Sequence, residues 1–327
     1  MSQDAPQAVS YRRILVTGGT GFVGGWLTPR LAQRWPDAQL FLLRRSADLV
    51  ERQGWTPVVG DLDDRDSLEH ALGQTRPDLI IHLAAQASVG SSLQQTAATW
   101  DANLGGSISL AVACALHAPE ATFLNVSTSE VYGASFRDGP ASEDTLPRPM
   151  SAYGRSKLAA EMALLDILPA TVKLITVRPF NHTGPGQDRR FVLPAFAAQI
   201  AAIEQERQPA VLQVGNLSAV REFLDVRDVV EAYIAILDHP TAFASGEILN
   251  VSSEVPLAIE EALALLRQAA RCPLNIQTDP NRLRPSDIPK ASGSSRKLRE
   301  KTGWKPIIPL AQTLDNLLDY WRTIEAS

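Results

Sequence analysis

The chain has 327 residues, of which 45% are hydrophobic and 20% charged, and its formal net charge is −5. This composition is typical of a soluble globular protein of one large domain or two, and the acidic balance argues against a nucleic-acid partner. No run of about 18 apolar residues occurs, so we expect no membrane partner. The 2 cysteines and 5 histidines lack metal-ligand spacing, which indicates a cytoplasmic protein without a metal site.

Short apolar segments alternate with helical patterns along the first 180 residues. Strands are predicted at RILVTG, QLFLLRR, DLIIHLAA, ATFLNVSTS and VKLITVRP, with helices between them. These strands show no polar alternation, which is typical of a parallel sheet covered on both faces. The order predicts an α/β fold, with a Rossmann-like doubly wound parallel sheet over residues 11–180.

The pattern changes after residue 180. A loop, NHTGPGQDRR, precedes a helix at FVLPAFAAQIAAIEQER, two short strands and a helix at VRDVVEAYIAILDHP. The apolar segment GEILNVSS is expected to rejoin the main sheet. We therefore assign residues 211–252 to the Rossmann domain, and residues 181–210 and 253–327 to a smaller, discontinuous C-terminal substrate-binding lobe.

A glycine-rich segment, VTGGTGFVG, follows the first strand and opens the first helix. Gly18, Gly21 and Gly24 would let the backbone turn tightly and approach a pyrophosphate, which then lies at the helix N-terminus. We expect Phe22 and Val23, at the start of that helix, to belong to the same cofactor site. The segment predicts dinucleotide binding, and the alternative is an ordinary glycine-rich turn.

The end of the second strand distinguishes the two nicotinamide dinucleotides. An acidic residue at this point would hold the ribose 2′-hydroxyl of NAD, but this chain has Arg44 and Arg45. Two guanidinium groups suit a 2′-phosphate. The sequence therefore predicts NADP(H), unless both arginines are solvated at a strand end. Asp61, after the third strand, is a candidate contact for the adenine.

Tyr153 and Lys157 form a Tyr-x-x-x-Lys pair in the segment SAYGRSK. On a helix these positions share a face, and an ammonium beside a phenol lowers the phenol pKa from about 10. Such a tyrosine can protonate a carbonyl oxygen while hydride arrives from a nicotinamide. Thr128, at the carboxyl end of a predicted strand, could hold that oxygen.

Four motifs, TGGTGFVG, HLAA, VSTSEVYG and YGRSK, resemble those of the extended short-chain dehydrogenases/reductases, the sugar-nucleotide epimerase/dehydratase group. The resemblance runs from about Ile14 to Trp321. It implies that Thr128, Tyr153 and Lys157 are catalytic, with Lys157 also on the nicotinamide ribose. It implies a homodimer formed by two helices, and further cofactor contacts at Leu62, Leu83, Ala84, Ala85 and Asn103.

Four later segments resemble the GDP-4-keto-6-deoxy-D-mannose reductases within this group: RPFNHTGPGQ, VGNLSAVREFLDVRDVVEAY, DPNRLRPSDIP and TGWKP. This likeness implies NADPH-dependent reduction of the C4 ketone of a GDP-linked 4-keto-6-deoxy sugar, which gives GDP-D-rhamnose. The substrate contacts that it implies are Ser129, Asn181, Arg221, Arg284 and Asp287.

The residues themselves also favour an anionic substrate. The segment 281–305 carries eight basic side chains against two acidic ones in a chain that is acidic overall. Arginine forks suit phosphate oxygens, so the segment is a candidate for a diphosphate. The alternative is a solvated surface loop and helix.

Glu130 leaves the reaction type open. The dehydratases of this group keep a base at this position, and a carboxylate beside a sugar ketone could abstract a proton. The alternative is therefore a GDP-mannose 4,6-dehydratase, or a bifunctional dehydratase/reductase, that uses bound NADP. A third hypothesis is a regulatory protein that binds NADP without catalysis.

Overall fold

The computed structural model describes residues 9–46, 53–86, 89–282 and 288–326. The strands are β1 Arg13–Thr17, β2 Gln39–Arg44, β3 Trp55–Val59, β4 Leu79–His82, β5 Thr122–Val126, β6 Lys173–Pro179, β7 His182–Thr183, β8 Val211–Val214, β9 Val220–Glu222, β10 Leu224–Asp225, β11 Glu247–Val251, β12 Pro256–Ala258 and β13 Asn275–Thr278. The helices are α1 Phe22–Arg34, α2 Arg65–Thr75, α3 Val89–Gln94, α4 Thr96–Trp100, α5 Gly106–His117, α6 Ala152–Ile167, α7 Val192–Glu204, α8 Val226–Asp238, α9 Ile259–Ala269, α10 Arg296–Thr302 and α11 Leu310–Ala326. Within the described ranges, no helix combines the length and the apolar character that a membrane span requires.

The main sheet has seven strands in the order β11-β6-β5-β4-β1-β2-β3. Each neighbouring pair is parallel. The predicted doubly wound α/β fold is confirmed, and β11 rejoins the sheet beside β6 as expected. The carboxyl ends of these strands form one edge, which is where ligands of such folds bind.

Two hydrophobic cores cover the two faces of this sheet. On one face α1, α8 and α10 contribute Leu27, Tyr233 and Leu298 to the first core. On the other face α2, α5 and α6 contribute side chains such as Leu110 and Leu164 to the second. The sheet is therefore buried on both sides, which explains why its strands have no polar alternation.

A third core belongs to the C-terminal lobe. It joins α7, α9 and α11, and Leu212 of β8 lies in it. Ile288 and Trp304 instead lie in the first core, against the sheet. Two segments thus lie in a different domain from the one that the sequence ranges give. Strand β8 pairs with β13 in the lobe, and Ile288 and Trp304 belong to the core of the sheet domain.

The segment ATWDANLGGSISLAVACALHA, residues 98–118, is predicted from its sequence to form one long helix, but in the structure it is interrupted. Asp101–Gly105 forms a π-helical turn between α4 and α5. The expectation of one regular helix is therefore wrong within this segment. Such π-turns often occur at functional sites, and Asn103, a predicted cofactor contact, lies inside this one.

Candidate active site

The glycine loop joins β1 to α1 at the carboxyl edge of the sheet. Gly18 has φ +69°, and a Cβ atom there would lie 2.6 Å from the Ala84 nitrogen. A Cβ atom on Gly24 would lie 2.4 Å from the Gly19 Cα. Gly21 caps α1 in an extended conformation and offers no side-chain hydrogen bond to the first turn. As a glycine, Gly21 contributes no side-chain cap to the first turn, which begins with Phe22 and Val23, and the loop fits a dinucleotide pyrophosphate.

The residues predicted to bind the 2′-phosphate lie at the end of β2. Arg44 is the last residue of that strand and is buried, whereas Arg45 is exposed. Asp61 follows the neighbouring parallel strand β3, and its N–H donates to Ser67 Oγ at 2.9 Å. Leu62 packs against Gly106 at the start of α5. The four predicted residues are thus brought to one end of two adjacent strands.

The loop after β4 is tied to both β1 and α6. Ala84 N–H donates to Thr17 Oγ1 at 3.2 Å, and Leu83 and Ala85 beside it are half-buried. Asn103 Oδ1 accepts from Gln86 N–H at 2.8 Å, and its Nδ2 donates to the Ser156 Oγ at 3.0 Å. Asn103 is 1% exposed. Its side-chain groups bond to protein atoms, so in this structure it positions the loop.

The predicted catalytic residues come together at the start of α6. Ser151 caps this helix by accepting from Gly154 N–H at 3.0 Å, so the helix begins directly before Tyr153. The Tyr153 side chain is hydrogen-bonded to Thr128, which follows β5. Lys157 lies one turn further along the helix and is 2% exposed. The spacing in the sequence thus becomes one cluster, in which Thr128 and Lys157 are buried and Tyr153 is half-buried.

The charge states in this cluster differ from the sequence expectation. Burial raises the pKa of Tyr153 to about 12, and the Glu130 carboxylate also raises it, while the Thr128 hydrogen bond lowers it. Burial lowers the pKa of Lys157 to about 8, against the opposing charge of Glu161. The expected lowering of the Tyr153 pKa is therefore wrong for this structure, because desolvation outweighs it. Tyr153 is held as a protonated phenol.

Three of the predicted substrate residues are described. Ser129 is buried, while Asn181 and Arg221 are half-buried. Arg221 Nη1 donates to the Val220 carbonyl at 2.8 Å. Burial lowers the pKa of Arg221, and the charge of Glu130 raises it. Glu130 thus interacts electrostatically with both Tyr153 and Arg221. The predicted contacts Arg284 and Asp287 lie outside the described residues.

Much of the basic segment 281–305 is neutralised by acidic neighbours. The shortest ion-pair distances are 3.4 Å for Arg282–Asp279, 3.8 Å for Arg296–Glu300, 3.1 Å for Arg299–Glu254 and 2.6 Å for Lys301–Glu247. These four cations are therefore paired with carboxylates of the protein itself.

A buried polar group that was not predicted from the sequence lies one helical turn beyond Lys157. It consists of Ser127, Glu161 and Arg178, each at most 4% exposed. Two signals were available. Glu161 lies four residues after Lys157, on the same helix face, and Arg178 is a charged residue inside the apolar strand LITVRP.

Comparison with known proteins agrees with this geometry. The family model for GDP-mannose 4,6 dehydratase matches residues 15–317. GDP-6-deoxy-D-mannose reductase from Pseudomonas aeruginosa is 36% identical, over 95% of this chain and 98% of the relative.

Solved structures give the same result. The structure of RMD from Pseudomonas aeruginosa complexed with NADPH has a TM-score of 0.81 and 34% identity, over 95% of this chain and 99% of that chain. The Thermus thermophilus UDP-glucose 4-epimerase complex with NAD has a TM-score of 0.81 and 29% identity, over the same shares of the two chains. The matches span nearly the whole chain, including the glycine loop and the Thr128–Tyr153–Lys157 cluster. The chain belongs to the GDP-mannose 4,6-dehydratase family of extended short-chain dehydrogenases/reductases.

Proposed function

We propose that this protein uses NADPH to reduce the C4 ketone of GDP-4-keto-6-deoxy-D-mannose, forming GDP-D-rhamnose. The observation that carries the proposal is the half-buried, protonated phenol of Tyr153, which is hydrogen-bonded to Thr128. A ketone reduction needs a proton donor at the developing alkoxide, and a phenol with a raised pKa keeps its proton until that charge forms. The relative named GDP-6-deoxy-D-mannose reductase supports the choice of sugar.

Thr128 and Tyr153 act on the ketone oxygen. When bound, NADPH supplies the hydride that adds to C4. Thr128 Oγ1 orients the ketone oxygen through a hydrogen bond, and Tyr153 Oη gives its proton to that oxygen as it becomes an alkoxide. The Lys157 ammonium stabilises the resulting phenolate, because an opposite charge in a dry environment favours the ionised form.

The cofactor residues divide by the part of NADPH that they hold. Gly18, Gly21 and Gly24, with the start of α1, bind the pyrophosphate. Arg44 and Arg45 bind the 2′-phosphate, and the relative complexed with NADPH supports this choice. The remaining contacts are those with the adenine and the nicotinamide ribose, at Asp61, Leu62, Leu83, Ala84, Ala85 and Lys157.

The GDP-sugar lies between the sheet domain and the C-terminal lobe. Arg221 and Asn181 are half-buried at this side of the sheet domain, and Ser129 lies beside the catalytic Thr128. An arginine with a dry environment suits a diphosphate. Arg284 and Asp287 complete the nucleotide site in this proposal. In this proposal NADP(H) lies on the sheet domain, and the GDP-sugar contacts both the sheet domain and the lobe.

A dehydratase activity is the second candidate. The observation that supports it is Glu130, a half-buried carboxylate whose charge raises the pKa of Tyr153. In a dehydratase this carboxylate would abstract the proton next to the ketone. In the proposed reductase it contacts the substrate and has no proton to remove.

We also propose a cytoplasmic homodimer. Cys114 and Cys272 are both free thiols, which suits a reducing compartment. Three large apolar side chains on α5 and α6 are more than half exposed, namely Leu116, Met162 and Leu165. Neighbouring apolar side chains on two adjacent helices suit a four-helix contact with a second copy of the chain.

The Tyr153→Phe variant tests the proposed role of the phenol. Removing the hydroxyl should lower kcat for ketone reduction by about 100- to 10,000-fold, the usual contribution of general acid catalysis. NADPH affinity, measured by fluorescence titration, should stay within about twofold. Tyr320→Phe is the control, because Tyr320 lies on α11 and packs against the core of the C-terminal lobe. Equal rates for Tyr153→Phe and wild type would contradict the mechanism.

A further inference from the structure

The ammonium of Lys157 lies near an ordered buried carboxylate that the proposed mechanism has not used. Glu161 is one helical turn after Lys157 and is 4% exposed. Arg178 of β6 binds it with two hydrogen bonds, Nε to Oε1 at 3.1 Å and Nη2 to Oε2 at 2.6 Å. Ser127 Oγ, at the end of β5, donates to the same Oε1. The carboxylate is therefore fixed from two neighbouring strands.

Arg178 is itself held in place. Its guanidinium lies 4.9 Å from the ring centroid of Tyr132. The Tyr132 hydroxyl in turn donates to Asn250 Oδ1 at 2.7 Å, on the edge strand β11. Burying an ion pair is costly unless both partners are well bonded. The two-point contact and the aromatic face meet this requirement except at Arg178 Nη1, which has no hydrogen-bond partner among the described residues.

The titratable groups around Lys157 come from several elements. His82, at the end of β4, interacts with the Lys157 charge and is neutral, since burial lowers its pKa to about 3. Tyr153 on the same helix is a neutral phenol, and Glu130, from the turn after β5, acts on Tyr153. Among the described residues, Glu161 is the group whose charge raises the pKa of Lys157 against burial.

We propose that Glu161 is a positioning residue, held by Arg178 and Ser127, that keeps Lys157 protonated during the reduction. The proposal rests on the reductase function proposed above. Without the carboxylate, desolvation would favour the neutral amine of Lys157. A neutral amine could not stabilise the phenolate that forms when Tyr153 gives up its proton. Glu161 thus acts on the reaction through Lys157, without touching the substrate.

Carbon-13 labelling of lysine tests the proposal without any assay of activity. Lys157 is one of the few lysines of the chain, which are Lys157, Lys173, Lys290, Lys297, Lys301 and Lys305. The Cε chemical shift of Lys157, titrated in the free protein, gives its pKa directly. Glu161→Gln should lower this pKa by about 1 unit or more, the usual effect of an opposite charge. Glu161→Asp keeps the negative charge, so the pKa of Lys157 should stay close to its wild-type value.

Glu222→Gln is the matched control. Glu222 is also a buried carboxylate, 1% exposed, and it accepts from Ser252 Oγ at 2.6 Å and Gly293 N–H at 2.7 Å. The same substitution there should leave the Lys157 pKa unchanged. If Glu161→Gln does not fold, Glu161→Asp still tests the proposal, because it should lower the pKa of Lys157 by a smaller amount.

The pH dependence of reduction is the second measurement. In Glu161→Gln the alkaline limit of kcat should move to lower pH by the same number of units as the Lys157 pKa, with little change in KM. An unchanged Lys157 pKa in both Glu161 variants would overturn the proposal, as would an equal shift in Glu222→Gln. A shifted Lys157 pKa in a protein that reduces no ketone would instead refute the proposed function alone, because the titration needs no substrate.

Discussion

His82 illustrates how single residues of the sheet are fixed in one protonation state. Its Nδ1 lies 2.8 Å from Thr17 Oγ1 and its Nε2 lies 3.1 Å from Ser107 Oγ. Ser107 donates to the Asn103 carbonyl at 2.6 Å, so its oxygen accepts from Nε2–H of His82. Nδ1 then accepts from Thr17. The neutral ring satisfies every partner, and burial together with the Lys157 charge lowers the pKa of His82 to about 3.

This arrangement predicts a loss of stability in acid. The unfolded chain takes up a proton on His82 below a pKa of about 6.5, whereas the folded protein resists protonation down to about pH 3. The unfolded state therefore binds more protons in this range, and the free energy of unfolding falls as the pH decreases. The free energy of unfolding, measured with urea, should be plotted against pH for wild type and for His82→Gln. The slope of this plot should be steeper in wild type by up to about 1.4 kcal/mol per pH unit. Parallel curves between pH 6 and pH 4 would contradict this account.

The sequence predicted which residues cluster at the start of α6, but it did not predict their charges. Tyr153 and Lys157 follow from helical spacing, and Thr128 follows from its place after a strand. The pKa of Tyr153 depends instead on how much water the folded chain removes, which spacing alone does not encode. For the same reason the Glu161–Arg178 pair, which joins a helix to a strand, was not found by local patterns.

Local sequence patterns located helices and strands best where the secondary-structure propensity of a segment agrees with its burial. The strands β1, β4 and β6 and the helix α6 lie where the sequence predicted them. The π-turn at Asp101–Gly105 was not predicted, since its residues have ordinary helical preferences. Its position is explained by tertiary hydrogen bonds of Asn103 to Gln86 and Ser156, which a single segment does not reveal.

The exposed faces of α5 and α6 lead to a prediction about assembly. The wild-type protein should sediment at twice its chain mass of 35.5 kDa. The double variant Met162→Glu/Leu165→Glu should be monomeric at micromolar concentration, because charges buried at a contact without partners are costly. Ile307→Glu is the control, as Ile307 is 74% exposed but lies outside these helices. A monomeric wild type, or equal dissociation of the control, would contradict the proposed dimer.

At the scale of the whole molecule, the sheet domain could be predicted well and the lobe less well. Each βα unit of the sheet is local in sequence, so its order follows from the pattern of apolar segments. The lobe is assembled from distant pieces: β8 pairs with β13, and α7 packs with α11. The ion pairs of the basic segment could not be predicted from local charge, because the acidic partners Glu247 and Glu254 lie about 50 residues earlier.

An assay of both reactions on the purified protein distinguishes a reductase from a dehydratase. The purified protein is mixed with GDP-4-keto-6-deoxy-D-mannose and NADPH, and the nicotinamide absorbance is followed, with GDP-mannose and NADP⁺ as the parallel reaction. We expect rapid loss of NADPH in the reaction that contains the keto sugar, and no reaction in the parallel one. NMR should identify the product as GDP-D-rhamnose. No loss of NADPH, together with formation of a keto sugar from GDP-mannose, would contradict the account and assign Glu130 as the base of a dehydratase.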